Sequence, residues 1–135
     1  MSALPTTGQK RARHAWETVE EASRKLNNGK WGDFDGHVMA LGPRILIAGL
    51  GPALAFLNEK QEDDHLLLHS LAHWVLHKGD SKSGPADLLE SIRNGDSDHL
   101  RRWTAESLEW LAWVKRFCAA ETNKRKRQNG TENAA

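Results

Sequence analysis

Four histidines in one segment are spaced so that they could bind a metal ion. They recur every four residues, and a helix would align them in one stripe. They are His65, His69, His73 and His77. Histidine pairs at i and i+4 bind zinc or nickel, but a metal site usually needs a third or fourth ligand, and no acid or cysteine lies on this stripe. A metal-binding helical bundle is therefore kept as an alternative, behind a solvated face or a polar contact with a partner.

The direction of this histidine stripe follows from the apolar residues between the histidines. These centre on the opposite side of the helix, about 180° away at ~100° per residue. They are Leu67, Leu68, Leu71, Trp74 and Val75. We therefore expect the four histidines to face outward.

A second set of side chains that could bind a ligand lies in the predicted last helix, 98–121. Its core stripe alternates three- and four-residue steps through Leu100, Thr104, Ser107, Leu111, Val114 and Cys118. With that stripe facing inward, Trp103 and Trp110 fall on one flank. Arg102, Glu109, Trp113 and Arg116 point away from the core.

This outer face has the composition of a nucleic-acid contact. An indole plane stacks on an unpaired base, and arginine binds phosphate through two hydrogen bonds. Two alternatives stay open: Trp113 packs within its own domain, or the arginines are solvated and paired with Asp98 or Glu106.

Basic residues are concentrated at the two ends of the chain. Residues 1–15 carry three cations and no acid, residues 119–135 carry four cations and two acids, and residues 16–118 have a net charge of −4. Basic arms on an acidic body suggest contact with a polyanion, although solubilising tails are an equal alternative. The candidate residues for RNA or subunit contact are Lys10, Arg11, Arg13, Arg44, Arg101, Arg102, Trp113, Lys115 and Arg116.

Catalysis has little support in this sequence. There is no local nucleophile motif, no phosphate-binding glycine loop and no paired carboxylates in a recognisable context. Gly49-Leu50-Gly51 lacks the Gly-Lys-Ser/Thr that a nucleotide loop requires. We expect a non-enzymatic protein that uses no cofactor, metal or small-molecule substrate.

The elements that position these residues are all predicted to be helices. The first helix, 9–27, has the stripe Ala12, Trp16, Val19, Ala22 or Ser23, and Leu26. A loop through Gly32 and Gly36 follows, and then short helices split by prolines. The remaining predicted helices are 35–41, 43–48, 52–60, 62–78, one from Pro85 to the Asn94-Gly95 stop, and 98–121. Strand signals are nearly absent, so the fold class is an all-α, single-domain bundle of five to seven helices.

The chain length suits one domain with short ends. We expect a flexible N-terminus at 1–8, a helical bundle at 9–122 and a basic, disordered tail at 123–135. The longest apolar stretch, 45–57, is interrupted by two glycines and a proline, so we expect no membrane span. The polar, basic start is unlike a secretion signal, and the single cysteine forms no internal disulfide, so a cytoplasmic location is expected.

Two segments together resemble a known family. They are the junction and helix Ile47-Ala48-Gly49-Leu50-Gly51-Pro52-Ala53-Leu54-Ala55-Phe56-Leu57 and the motif Thr104-Ala105-Glu106-Ser107-Leu108-Glu109-Trp110-Leu111-Ala112-Trp113-Val114-Lys115-Arg116-Phe117. In order and spacing they resemble the small helical subunit of the Cmr complex, the type III-B CRISPR effector. The resemblance spans about residues 10–120, and the chain departs from it at Pro52 and in the long tail 124–135.

The resemblance implies an all-α subunit without catalytic activity that serves antiviral defence. Several copies would stack in the minor filament of a guide-RNA-bound complex and line the path of the target RNA. Its partners would be other copies of itself, the backbone subunits that cleave RNA and the large subunit. Arg102, Trp113, Lys115 and Arg116 would then lie where a filament subunit meets RNA or a neighbour.

A helix-turn-helix DNA-binding protein is the other alternative. Gly49 to Pro52 would be its turn, and 53–57 would begin its recognition helix. A recognition helix presents polar side chains to base edges, whereas these five residues are all apolar. We therefore rank this class well below the RNA-contacting subunit.

Overall fold

The computed structural model describes residues 4–60, 66–77 and 85–134, and within these ranges it contains helices and no strand. The helices are α1 (Thr7–Lys25), α2 (Asn28–Ala48), α3 (Leu50–Glu59), α4 (Leu66–His77), α5 (Pro85–Asn94) and α6 (Ser97–Ala134). The prediction of an all-α, single-domain bundle of five to seven helices is confirmed.

Helix α1 begins two residues before the predicted start because of a capping box. The Thr6 hydroxyl accepts a hydrogen bond from the Gln9 backbone N–H at 3.1 Å, and the Gln9 side chain accepts one from the Thr6 N–H at 2.8 Å. The helix buries Ala15, Val19 and Ala22. Trp16 belongs to the predicted apolar stripe but is 51% exposed, so the buried face of α1 differs from that stripe at this residue. Small side chains allow α1 to pack closely against its neighbours, and this orientation turns the large indole outward.

Helix α2 is one continuous helix, so the predicted loop through Gly32 and Gly36 and the two short helices after it are wrong. Its buried residues repeat every three or four positions, and they are Trp31, Phe34, Val38, Leu41 and Ile45. Glycine costs a helix about 1 kcal/mol and an interior proline about 3 kcal/mol. Burial of five large side chains offsets these penalties, so Pro43 lies inside the helix on its exposed side.

The break between α2 and α3 occurs at Gly49. Its φ of 93° is a conformation that L side chains rarely adopt. Pro52 is the third residue of α3, where proline is tolerated because the first-turn N–H groups have no partner within the helix. The departure from the family pattern at Pro52 therefore falls at the start of a helix.

Helix α6 extends well beyond the predicted end near Glu121. It begins at Ser97, one residue before the predicted start, and the Asp96 carboxylate accepts a hydrogen bond from the His99 N–H at 2.8 Å. Residues 123–134, which composition predicted to be disordered, continue the helix. Arg125 ties this extension to the bundle: its guanidinium donates to the Ser23 carbonyl at 2.9 Å and to the Leu26 carbonyl at 3.2 Å, at the end of α1.

Helix α6 packs against α1, α2, α3 and α4, and α1 runs alongside it in the same direction. This packing buries more of α6 than the predicted stripe. Trp110, predicted on a flank, is fully buried, whereas Leu100, predicted in the core, is 37% exposed near the helix start. Ser107, Leu111, Val114 and Cys118 are buried as predicted.

A glycine pair tests the fold. In Gly95→Ala the new Cβ would lie 2.6 Å from the Ser91 carbonyl oxygen and 3.3 Å from the Trp103 ring, so we expect a loss of about 1–3 kcal/mol in the free energy of unfolding. In Gly32→Ala the Cβ meets nothing within 4 Å on an exposed helix face, so we expect a gain of about 0.5–1 kcal/mol. Urea denaturation measures both, and equal effects would contradict this account.

Candidate nucleic-acid interface

The outer face of α6 presents Arg102, Trp113 and Arg116 to solvent. Trp113 is 43% exposed, and its ring stacks on Phe117 with centroids 5.8 Å apart and an angle of 24° between the planes. Both arginines are exposed. The structure therefore places these three side chains on the surface, as the helical periodicity predicts.

The other candidate residues on α6 and α2 have closer partners. Arg101 is exposed, and its guanidinium lies 3.7 Å from the Asp98 carboxylate. Arg44 is exposed and lies over the Phe56 ring, 4.0 Å from its centroid. Lys115 is half-buried. Of the candidate cations considered so far, only Arg102 and Arg116 therefore lie with Trp113 on the outer face of α6.

The three candidate cations of α1 differ in their exposure to solvent. Lys10 and Arg13 are exposed. The Arg11 side chain is only 15% exposed and binds both Glu106 and Glu109, with 3.0 Å between its Nη2 and the Glu109 carboxylate. Arg11 therefore connects α1 to α6 within the domain.

The histidine stripe does not face outward as a whole. His73 is half-buried, and its Nδ1 lies 3.1 Å from Nε2 of His14 on α1, so the prediction that all four histidines face outward is wrong for this residue. The reason is that α4 packs against both α1 and α6, and His73 follows the face turned toward α1. His69 is exposed. His65 and the His77 side chain lie outside the described residues.

His14 sits where α1, α4 and α6 meet, and its hydrogen bonds define its tautomer. The indole N–H of the buried Trp110 donates to His14 Nδ1 at 2.9 Å, so the ring carries its proton on Nε2 and donates to His73. Burial, together with the neighbouring His73, lowers the pKa of His14 to about 4. The ring is therefore neutral at physiological pH and has a structural role.

Among the described residues, the side chains that bind metals do not cluster, and the single cysteine is buried. Within residues 4–60, 66–77 and 85–134, no group of three or more histidine, cysteine, aspartate or glutamate side chains could hold a metal ion. Cys118 is fully buried, and burial raises the pKa of its thiol to about 12.

Helix α3 does not have the surface of a recognition helix. Its residues Ala53, Leu54 and Leu57 are buried in the core. A DNA-reading helix needs its side chains free to enter the major groove. No observation favours the helix-turn-helix alternative.

A groove that the apolar stripes did not predict lies between α1 and α6, and we call it the α1/α6 groove. It has a volume of about 270 Å³. Its lining residues are Trp16, Val19, Glu20, Ser23, Phe117, Ala120, Glu121 and Lys124. One signal in the sequence could have revealed it: the small residues Ala15 and Ala22, seven apart, offer an alternative core stripe that leaves Trp16 outside.

The fold and this surface define the class: a small all-α protein with an exposed aromatic and basic helix face. In the part of the chain that the structure describes, no helix is long and apolar enough to cross a membrane.

Comparison with known proteins identifies the family. Residues 7–121 match the family described as CRISPR-associated protein (Cas_Cmr5). The crystal structure of a CRISPR-associated Cmr5 family protein from Thermus thermophilus is similar, with a TM-score of 0.73 and 28% sequence identity over 87% of this chain and 97% of that chain. No curated protein sequence matches. The chain belongs to the Cmr5 family, and the predicted resemblance to the Cmr small subunit is confirmed.

Proposed function

We propose that this protein is a non-catalytic, cytoplasmic subunit of a type III-B CRISPR effector complex. Copies of it stack in the minor filament, next to the backbone and large subunits, and contact guide and target RNA in antiviral defence. The observation that carries this proposal is the exposure of Arg102, Trp113 and Arg116 on one face of α6 in a chain of the Cmr5 family.

The chemistry of this face suits single-stranded RNA. Guanidinium groups bind phosphate oxygens of any sequence, and an indole stacks on any base, so the contact is independent of sequence. Such a contact suits a subunit that lines an RNA whose sequence is read by base pairing with a guide.

The non-catalytic role agrees with the side chains that the fold brings together. His14 accepts the Trp110 N–H, and Cys118 is buried with a protonated thiol. Neither side chain is available as a base or nucleophile for a phosphodiester.

Charge reversal tests the proposed RNA contact. In the double variant Arg102→Glu/Arg116→Glu, we expect weaker binding to single-stranded RNA and a shallower dependence of log affinity on log salt, by about 1.4 for two lost phosphate contacts. Fluorescence polarisation with a labelled oligonucleotide at several salt concentrations measures this slope. Both side chains are exposed, so we expect the fold to be retained.

A matched control variant has the same net charge as Arg102→Glu/Arg116→Glu. Lys30→Glu/Lys60→Glu reverses two exposed cations, one near the start of α2 and one directly after the end of α3. We expect a smaller change in the salt slope from this variant. If Arg102→Glu/Arg116→Glu leaves both the slope and assembly with the other Cmr subunits unchanged, the outer face of α6 has neither role.

A further inference from the structure

The α1/α6 groove has an aromatic wall, and one of its residues, Trp16, is half exposed. Trp16 is 51% exposed at the groove, and Phe117 lines it from the other helix. Trp113 stacks on Phe117 and extends the aromatic surface along α6. Trp16 and Phe117 thus line the groove, and Trp113, stacked on Phe117, continues the aromatic surface to the outer face of α6.

The acids in the groove are neutralised by arginines of their own helices. Glu20 pairs with Arg24 at 3.1 Å, and Glu121 pairs with Arg125 at 3.1 Å. Lys124 adds an exposed cation to the lining. The groove therefore combines an aromatic wall with two ion-paired acids and one exposed lysine, Lys124, and aromatic rings beside cations are typical of single-strand binding sites.

We propose that the α1/α6 groove binds one unpaired base of single-stranded RNA. The base stacks against Trp16 and Phe117, and Lys124 binds the adjacent phosphate. This inference rests on the proposed function and adds to it a base-binding site outside the set Arg102, Trp113 and Arg116.

One observation favours RNA over a protein segment as the occupant. Both acids of the lining are ion-paired, whereas Lys124 has no ion pair among the described residues, and its positive charge complements phosphate.

The test compares RNA with and without bases. The full-length variant Trp16→Ala is titrated with a fluorescein-labelled oligoadenylate and with a ribose-phosphate oligomer of the same length that lacks bases. We expect Trp16→Ala to weaken oligoadenylate binding by about tenfold, the effect of losing one stacked base, and to leave binding of the abasic oligomer unchanged. Trp16→Phe keeps an aromatic plane and should restore most of the affinity.

Controls separate the groove from the fold and from the proposed function. Leu46→Ala truncates another exposed apolar side chain, on α2, and should change neither affinity. Equal thermal stabilities of wild type and Trp16→Ala show that the fold is intact. If Trp16→Ala has no effect while Arg102→Glu/Arg116→Glu weakens binding, the groove proposal fails and the proposed function stands.

Two other outcomes would also overturn the groove proposal. One is an equal loss on the abasic oligomer, because stacking on a base cannot then be the cause. The other is a loss of association between copies of the protein at unchanged RNA affinity, which would make the groove a protein-docking surface. If the wild-type protein and both variants bind neither oligomer, the proposed function fails together with this inference.

Discussion

Glu106→Ala is expected to lower the free energy of unfolding by about 3 kcal/mol, which corresponds to a fall of about 10 °C in Tm for a domain of this size. The Glu106 carboxylate binds the Arg11 guanidinium through both oxygens and accepts the indole N–H of Trp74 at 2.7 Å. Arg11 is 15% exposed and Trp74 is buried. Alanine removes the anion from a largely buried cation and an acceptor from a buried donor, and both losses are costly.

Glu109→Ala is the matched control for this prediction. Its carboxylate also lies 3.0 Å from Arg11, but its side chain is 61% exposed, so solvent screens the pair. We expect a loss below about 1 kcal/mol. Thermal and urea denaturation of both variants measure the difference. Equal losses would mean that the Glu106 pair contributes no more than a surface ion pair.

The fold class and most helix positions were predictable from apolar spacing. Helix α4 buries Leu67, Leu68, Leu71, Trp74 and Val75, as their spacing indicates. Helix α2 was not predictable by local rules, because Gly32, Gly36 and Pro43 all signal interruption. Only the packing of its apolar stripe against α3 and α6 overrides those signals, and that packing is tertiary information.

The outer face of α6 was predictable because one helix determines it. A stripe that begins at Leu100 gives the directions of Arg102, Trp113 and Arg116 without knowledge of any neighbour. The second side of α6, which buries Trp110, depends on where α1 lies, so the sequence left Trp110 on a flank.

Contacts between helices distant in the sequence explain the remaining errors. His73 turns inward because it contacts His14 of α1, which in turn accepts the Trp110 N–H of α6. The chain after Glu121 stays helical because Arg125 reaches carbonyls of α1, 99 and 102 residues away. Periodicity within one segment carries no information about such partners.

The stability of the wild type is expected to decrease in acid because of His14. Its pKa is about 4 in the folded protein, against an ordinary value of 6.5. Between pH 4 and pH 6.5 the unfolded chain therefore binds more protons than the folded protein. The contribution of neutral His14 to the free energy of unfolding is complete above pH 6.5 and is lost as the pH falls toward 4. Protonation of His14 would place an N–H on Nδ1, opposite the Trp110 N–H that already donates to this atom. The other ring nitrogen, Nε2, faces His73. The nearby Glu106 is paired with Arg11. Between pH 7.5 and pH 5 we expect a loss of about 1–2 kcal/mol after allowance for solvent screening of a partly exposed ring.

His14→Gln isolates this effect because glutamine has no proton to gain. Its amide oxygen can accept the Trp110 N–H, so the variant is expected to fold and to lose about 1–2 kcal/mol less than the wild type over the same pH range. Urea denaturation at pH 7.5, 6 and 5 gives this difference, and carboxylates common to both proteins cancel in it. Trp110→Phe removes the N–H donor and keeps a large aromatic ring, so Nδ1 can hold a proton and the pH dependence should become shallower. Parallel pH profiles for wild type and His14→Gln would show that His14 is not the group whose protonation destabilises the fold.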